Sequence, residues 1–275
     1  MKTVFVTGAT GTIGNAVATT FRRHGYHVKG LTRSEKGAKL LAAQEIEPVV
    51  SPISDIKHIE ADIAVHAYTE SGPDRIANDL RAIEMLSKCS LFLYTSGCWI
   101  HGNSKDIVNE ESPLKPLSIT SWRPAHEQKV VQAKGVVIRP GFVYGGEGSL
   151  TASWFASAAK GSVEIAGDGT NTWSMIHKDD LARAYLLAAE KNIRSTIFDV
   201  TDGMFPTVRE MAEAIANLAK IPGKIRSIEG MEGVLADQKI RSIRTQPILG
   251  WKPYHTSFLS EVATYFSAWK ATQPS

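Results

Sequence analysis

Cysteine is scarce in this chain: Cys89 and Cys98 are the only two among 275 residues. Two thiols make no disulfide framework, and no Cys/His spacing matches a metal site, so no metal is expected. An excess of one charge is missing too. Lys and Arg number 31 against 28 Asp and Glu, a net charge of +3, and no basic run of five occurs, so nucleic acid is not an expected partner. No apolar run is long enough to cross a bilayer, which removes the membrane as an expected partner. The first strand-like run begins at residue 3 and leaves no room for a signal peptide; the expected compartment is a reducing cytoplasm. Internal repeats, low-complexity tracts and flexible linkers are also lacking. The proportions of hydrophobic and charged residues, 43% and 21%, are those of a globular protein with a sizeable core.

What is present is organised around Val4 to Gly14, Val-Phe-Val-Thr-Gly-Ala-Thr-Gly-Thr-Ile-Gly. Val4, Phe5 and Val6 read as a buried strand. Gly8, Gly11 and Gly14 follow at intervals of three, and Ile13, Ala16, Val17, Thr20 and Phe21 then mark one face of a helix. Such a turn lets backbone amides approach a pyrophosphate, and the helix start adds unpaired N–H groups and partial positive charge. Gly8, Gly11 and Gly14, with the turn around them, are predicted to hold a dinucleotide.

A second strand is predicted over 27–32, with Arg33 and Ser34 just past its end. An acidic residue there would hydrogen-bond the adenosine ribose; none is present. Arg33, with Ser34 and Lys36, is instead placed to pair with a 2′-phosphate, which favours NADP over NAD. Ser34 also reads as the cap of a helix running to about Gln44. Further strands are predicted over 48–52, 61–66, 91–96 and 135–139, and a helix over 73–89 with Ile76, Leu80, Ile83 and Leu86 on its apolar stripe. Beyond these come a helix over 151–160, a returning strand at 197–200 and a capping box from Thr207 to Glu210. A last helix carries Phe258, Leu259, Val262, Phe266 and Trp269 on one face. The alternation predicts an α/β fold, a doubly wound Rossmann sheet that is mostly parallel. Its expected division is a nucleotide-binding domain over 1–145 and a small C-terminal substrate lobe over 146–275, with 173–202 returning to the sheet.

The spacing Thr-Gly-x-x-Gly-x-x-Gly resembles the short-chain dehydrogenase/reductase superfamily in its extended or atypical branches, which include sugar-nucleotide epimerases and dehydratases. That resemblance covers essentially the whole chain. It implies cofactor contacts from Thr7, Gly8, Thr10, Gly11, Thr12, Ile13 and Gly14, and from His66-Ala67-Tyr68, which is similar to the family's His-x-Ala-Ala. Tyr68 stands where relatives carry a small residue and is expected to intrude into the cofactor cleft. Ser51-Pro52 stands where relatives often have Gly-Asp. Thr95-Ser96-Gly97-Cys98-Trp99-Ile100-His101-Gly102 resembles Ser-Ser-x-x-Val-Tyr-Gly, the segment with the family's catalytic Ser/Thr, and Arg139-Pro140-Gly141-Phe142-Val143-Tyr144-Gly145 resembles Arg-Pro-x-x-Val-Tyr-Gly at the nicotinamide. Thr95, Pro140, Gly141 and Val143 are therefore added to the cofactor set. Trp173 to Ala182 is similar to the family's Val-His-Val-Asp-Asp-Leu-Ala, with an aspartate expected to cap a helix. Leu249-Gly-Trp-Lys-Pro253 matches Leu-Gly-Trp-x-Pro. In relatives the helix over 73–89 often lies in a homodimer interface; packing on the sheet explains its stripe equally well.

The family's Tyr-x-x-x-Lys is absent: none of the seven tyrosines has Lys four residues on. Counting from the fifth strand puts Trp122 and His126 at those positions; aligning on Glu127-Gln128 puts Ile119 and Arg123 there. Neither supplies a phenol. Ser96, Cys98, His101, Tyr68 and Tyr144 are the candidate proton donors, with His101 and Tyr68 first, and Arg123 or His126 is a candidate holder of the ribose or a substrate phosphate. The leading expectation is an NADP-dependent oxidoreductase acting on a small carbonyl, alcohol or activated alkene with a non-standard proton donor. The alternatives are a non-redox epimerase, isomerase or cyclase with bound nucleotide, and a non-catalytic protein that senses NADP(H).

Overall fold

The computed structural model describes residues 1–146 and 148–273. Its strands are β1 (Thr3–Thr7), β2 (His27–Thr32), β3 (Glu47–Val50), β4 (Ile63–His66), β5 (Leu91–Thr95), β6 (Ser104–Val108), β7 (Val136–Pro140), β8 (Phe142–Tyr144), β9 (Val163–Ala166), β10 (Met175–His177), β11 (Thr196–Val200), β12 (Ile225–Ile228) and β13 (Gln238–Ile240). The helices are α1 (Thr12–Arg23), α2 (Glu35–Ala43), α3 (Arg75–Leu86), α4 (Arg123–Gln132), α5 (Leu150–Ala159), α6 (Lys178–Glu190), α7 (Val208–Leu218), α8 (Glu232–Leu235), α9 (Thr245–Leu249) and α10 (Phe258–Ala271). No helix among the described residues is long and apolar enough to cross a membrane.

Seven strands form one parallel sheet in the order β11-β7-β5-β4-β1-β2-β3. This is the doubly wound arrangement, and the order reverses between β1 and β4, which opens a crevice at the carboxyl ends of those strands. Parallel strands covered on both faces read as continuous apolar runs. Val4, Val6, Val65 and Leu93 accordingly face α1 and α6, while Phe5, Ala64, Phe92 and Tyr94 face α3 and α4. Register then brings three polar residues into one row: Thr7 pairs with His66, and His66 with Tyr94.

A second core lies outside the sheet. Tyr144, Trp154, Phe155, Trp173, Met211 and Phe258 pack among α5, α7, α10 and β9. The Thr207–Glu210 capping box opens α7 as expected. Three expectations are corrected. On α3 the buried face is Asp79, Ala82, Ile83 and Leu86, whereas Ile76 is exposed; the helix is turned so that a carboxylate shares the apolar face. Of the 173–202 stretch, β11 returns to the main sheet but β10 pairs with β8 in a separate two-stranded sheet. The α6 cap is His177, whose ring accepts from the Asp179 amide, because the Asp180 carboxylate instead accepts the amides of Tyr254 and His255.

Candidate functional site

The glycine turn is closed too tightly for side chains. Gly8 has φ +68°, and a Cβ there would overlap the Ala67 carbonyl; a Cβ on Gly14 would overlap the carbonyl of Gly8. The Gly11 amide donates to the Gly8 carbonyl at 2.9 Å. Gly11 is the N-cap of α1, which receives no side-chain cap and has no acidic residue in its first turn. The amides at the start of α1, around Thr12, Ile13 and Gly14, are left for an anion, the arrangement that suits a diphosphate. These features fit a dinucleotide.

Two cavities continue from this turn along the carboxyl end of the sheet. The first, about 180 Å³, is bordered by Gly8, Thr10, Thr32, Arg33, Ser51 and Tyr68. Arg33 is exposed and lies 5.7 Å from the Tyr68 ring centroid, a cation–π distance. Ser34 does not border it: its hydroxyl accepts from the Gly37 amide at 3.1 Å and caps α2. Tyr68, expected as a candidate proton donor, walls this cavity and does not border the second one.

The second cavity, about 450 Å³, shares Glu70 with the first. Its floor is Ser96, Gly97, Pro140 and Gly141; its walls include Ile13, Ile119, Trp99, Trp122, Phe142 and Val143. The Ser96 hydroxyl is buried and has no hydrogen-bond partner, a costly condition that a ligand acceptor would relieve. Arg123 borders the same cavity. Its guanidinium donates to the Tyr94 hydroxyl at 3.2 Å, the Thr95 carbonyl at 3.3 Å and the Thr69 hydroxyl at 3.2 Å, and stacks on Trp122 at 4.6 Å. Ile119 and Arg123 thus both border the cavity, whereas His126 turns to Asp79, 2.6 Å away. Of the two alignments drawn from the sequence, the geometry fits the one through Ile119 and Arg123.

The remaining candidates lie elsewhere. His101 is buried behind the cleft, its Nε2 3.0 Å from the Asp199 carboxylate. Asp199 also lies 3.8 Å from Arg139, which pairs with Glu127; a row of charges crossing β7 and β11 takes the histidine inward. Tyr144 sits in the second core against Phe258 and Tyr265, where burial pushes its phenol well up. Cys98 borders the cavity, but its thiol donates to Gln238 at 2.9 Å and burial pushes it far above the ordinary thiol range. Thr95 is hydrogen-bonded to the Tyr185 hydroxyl at 2.6 Å rather than lining the cleft. Thr7 and His66 are joined at 2.7 Å in the buried row beneath it.

The residue that sequence reasoning missed is Asp79. Its carboxylate lies 3.3 Å from His66, 2.6 Å from His126 and 2.9 Å from the Tyr94 hydroxyl, which donates to it. Burial alone would raise this carboxyl, but the hydrogen bonds from His126 and His66 and the nearby Arg123 cation hold it well below the usual range. The chain Thr7–His66–Asp79–Tyr94–Arg123 therefore runs from the glycine turn to the second cavity. Periodicity carried the signal, since Asp79 precedes Ile83 by four and Leu86 by seven.

Among the described residues, His177, Asp179 and His255 bring possible ligand atoms together. The two imidazole centroids lie 3.8 Å apart with the rings tilted by 36°, whereas two histidines on one tetrahedral ion would stand about 5 Å apart. His177 also spends Nδ1 on the Asp179 amide. The group reads as a helix cap packed against a second imidazole.

Comparisons with known proteins agree with this geometry. An uncharacterized protein of Schizosaccharomyces pombe is 26% identical over 95% of this chain and 98% of its own length. The sterol-4-alpha-carboxylate 3-dehydrogenase (decarboxylating) of Dictyostelium discoideum is 26% identical over 74% of this chain and 72% of its own. Among solved structures, the dTDP-glucose 4,6-dehydratase of Bacillus anthracis in complex with NAD superposes with a TM-score of 0.85, covering 99% of this chain and 98% of that one at 18% identity. The model of the NAD dependent epimerase/dehydratase family matches residues 4–200. The chain belongs to that family.

Proposed function

We propose that this protein is an NADP-dependent oxidoreductase that reduces a small carbonyl compound, or oxidises the matching alcohol, in the second cavity. The observation that carries this reading is the unpartnered Ser96 hydroxyl in a cavity that it shares with the Arg123 guanidinium, which donates to the carbonyl of the preceding Thr95, in a cleft that begins at the glycine turn. When bound, a reduced nicotinamide dinucleotide supplies the two electrons and the hydrogen that a carbonyl carbon accepts.

The chain's own residues do the rest. The amides at the start of α1 hold the diphosphate, and Gly8 and Gly14 let it approach the backbone. Arg33 pairs with the 2′-phosphate, which an acidic residue at that position would repel. Pro140, Gly141 and Val143 floor the nicotinamide end. Ser96 donates its hydroxyl hydrogen bond to the substrate oxygen, and Arg123 lends positive charge as that oxygen becomes anionic. With no phenol in the family's usual place, the proton comes from water at the open mouth and passes through Ser96. Apart from 173–202, the described residues of 146–275 make up the smaller lobe, and Trp173 supports the cleft wall by stacking on Phe142 at 3.9 Å. The related dehydrogenase and the dehydratase similar in fold support nicotinamide chemistry here; a choice of NADP rests on Arg33.

The test is calorimetric titration with NADPH, NADP+, NADH and NAD+. Binding confined to the phosphorylated pair, or much tighter for it, is the expected result. If the unphosphorylated pair binds as well, NADP falls; if none binds, the oxidoreductase reading falls.

A further inference from the structure

We infer that, beside the nicotinamide, the second cavity takes a flat, largely apolar carbonyl compound as its substrate, and not a sugar. This rests on the reading above, in which the same cavity is the substrate site.

Three observations converge. The walls are Trp99, Trp122, Phe142 and Ile119, and they are braced from behind. Phe142 stacks on Trp173, Trp173 lies against Trp154, and Gly233 of α8 seats the back of Trp99 so closely that a Cβ there would overlap the indole. Rigid aromatic walls favour a flat apolar guest.

Thr69, Ser71 and Arg75 border the cavity from exposed or half-buried positions, while its buried polar groups are few and mostly engaged. A hexose carries several hydroxyls, each needing a partner once buried. Thr120 already donates to a backbone carbonyl of its own segment, the Cys98 thiol donates to Gln238, and Glu70 accepts from Asn78 at 2.6 Å. Ser96 is the one buried hydroxyl of the lining that has no partner, and Arg123 borders the same cavity. That pair serves a single oxygen.

The third observation concerns origin. Among the described residues, every lining group comes from the stretch 13–143 and none from 146–275. The second lobe therefore adds no hydroxyl or amide partner for a sugar at this cavity.

The experiment is calorimetry on the full chain, first with NADP+, then with 2-acetylnaphthalene, 2-ethylnaphthalene and dTDP-glucose, each on free and NADP+-saturated protein. The ketone should bind at least about tenfold more tightly than dTDP-glucose. Ser96→Ala should weaken the ketone about fivefold and leave the hydrocarbon unchanged, since only the ketone uses the hydroxyl. The inference is overturned if dTDP-glucose binds as tightly as the ketone, if the ketone does not bind, or if Ser96→Ala weakens ketone and hydrocarbon alike. Failure of NADP+ to bind would sink the oxidoreductase reading separately, and the comparison on free protein would still decide the class of guest.

Discussion

The two ends of the cleft are built by different means. The adenosine end is made mostly of backbone: two glycines with no room for a Cβ, the uncapped start of α1, and one exposed cation, Arg33, resting over Tyr68. The substrate end is made of side chains, and these are held by buried charge. Asp79 gathers His66, His126 and Tyr94, and Tyr94 in turn receives Arg123. A site made of backbone tolerates change wherever a side chain points away. One hung on a buried carboxylate depends on a residue that need never touch the ligand.

The sharpest way to break the substrate end is Asp79→Ala. It leaves two buried imidazoles and a phenol without their shared acceptor, and should cost about 3–5 kcal/mol of stability, read by urea unfolding. Because the native carboxyl is held below its unfolded value near 3.8, its stabilisation is full above that pH and is lost as pH falls below it. The gap between wild type and variant should therefore be widest near neutrality and narrow towards acid. A gap that does not change between pH 6 and pH 3 would remove the carboxylate from the account.

Gly14→Ala breaks the other end. The added methyl meets the Gly8 carbonyl, so the turn must open, and dinucleotide affinity should fall by about 100-fold or more, or about 2.7 kcal/mol. Unfolding curves should show that the sheet itself survives. Arg33→Ala is milder and more selective: NADPH should lose about 1.5–3 kcal/mol while NADH is unaffected. Equal losses for both would take away the 2′-phosphate assignment.

The smallest effect sharpens the comparison from behind the substrate wall. Asp202 follows β11; burial, with Asp180 nearby, pushes its carboxyl up to about 7, although the Met204 amide donates to it. A raised carboxyl stabilises the fold below its unfolded value near 3.8, and that contribution is lost as pH rises through about 7. Asp202→Asn should therefore gain on wild type as pH rises from about 6.3 to 8. The gain is about 1 kcal/mol, or about 2–4 °C in Tm.

The histidines show how far sequence reading reaches. His66 ends β4 and His101 follows β5, and both are drawn away from the cleft by carboxylates elsewhere in the chain, Asp79 and Asp199. Local pattern puts a residue at a strand end; it does not say which acid will be packed beside it. Ser34 shows the converse. Its capping of α2 was legible because donor and acceptor are three residues apart.

The sequence by itself determined the parallel sheet, the glycine turn and the exposed guanidinium after β2, because these depend on residues within one strand-turn-helix unit. It also shows that no tyrosine has Lys four residues on. Only the tertiary structure decided which residues line the second cavity. Strand register sets Thr7, His66 and Tyr94 in one row, the rotation of α3 brings Asp79 to them, and α4 delivers Arg123 to the cavity of Ser96. Those contacts join groups 13 to 59 residues apart, and packing against the common core, not any local propensity, selects them.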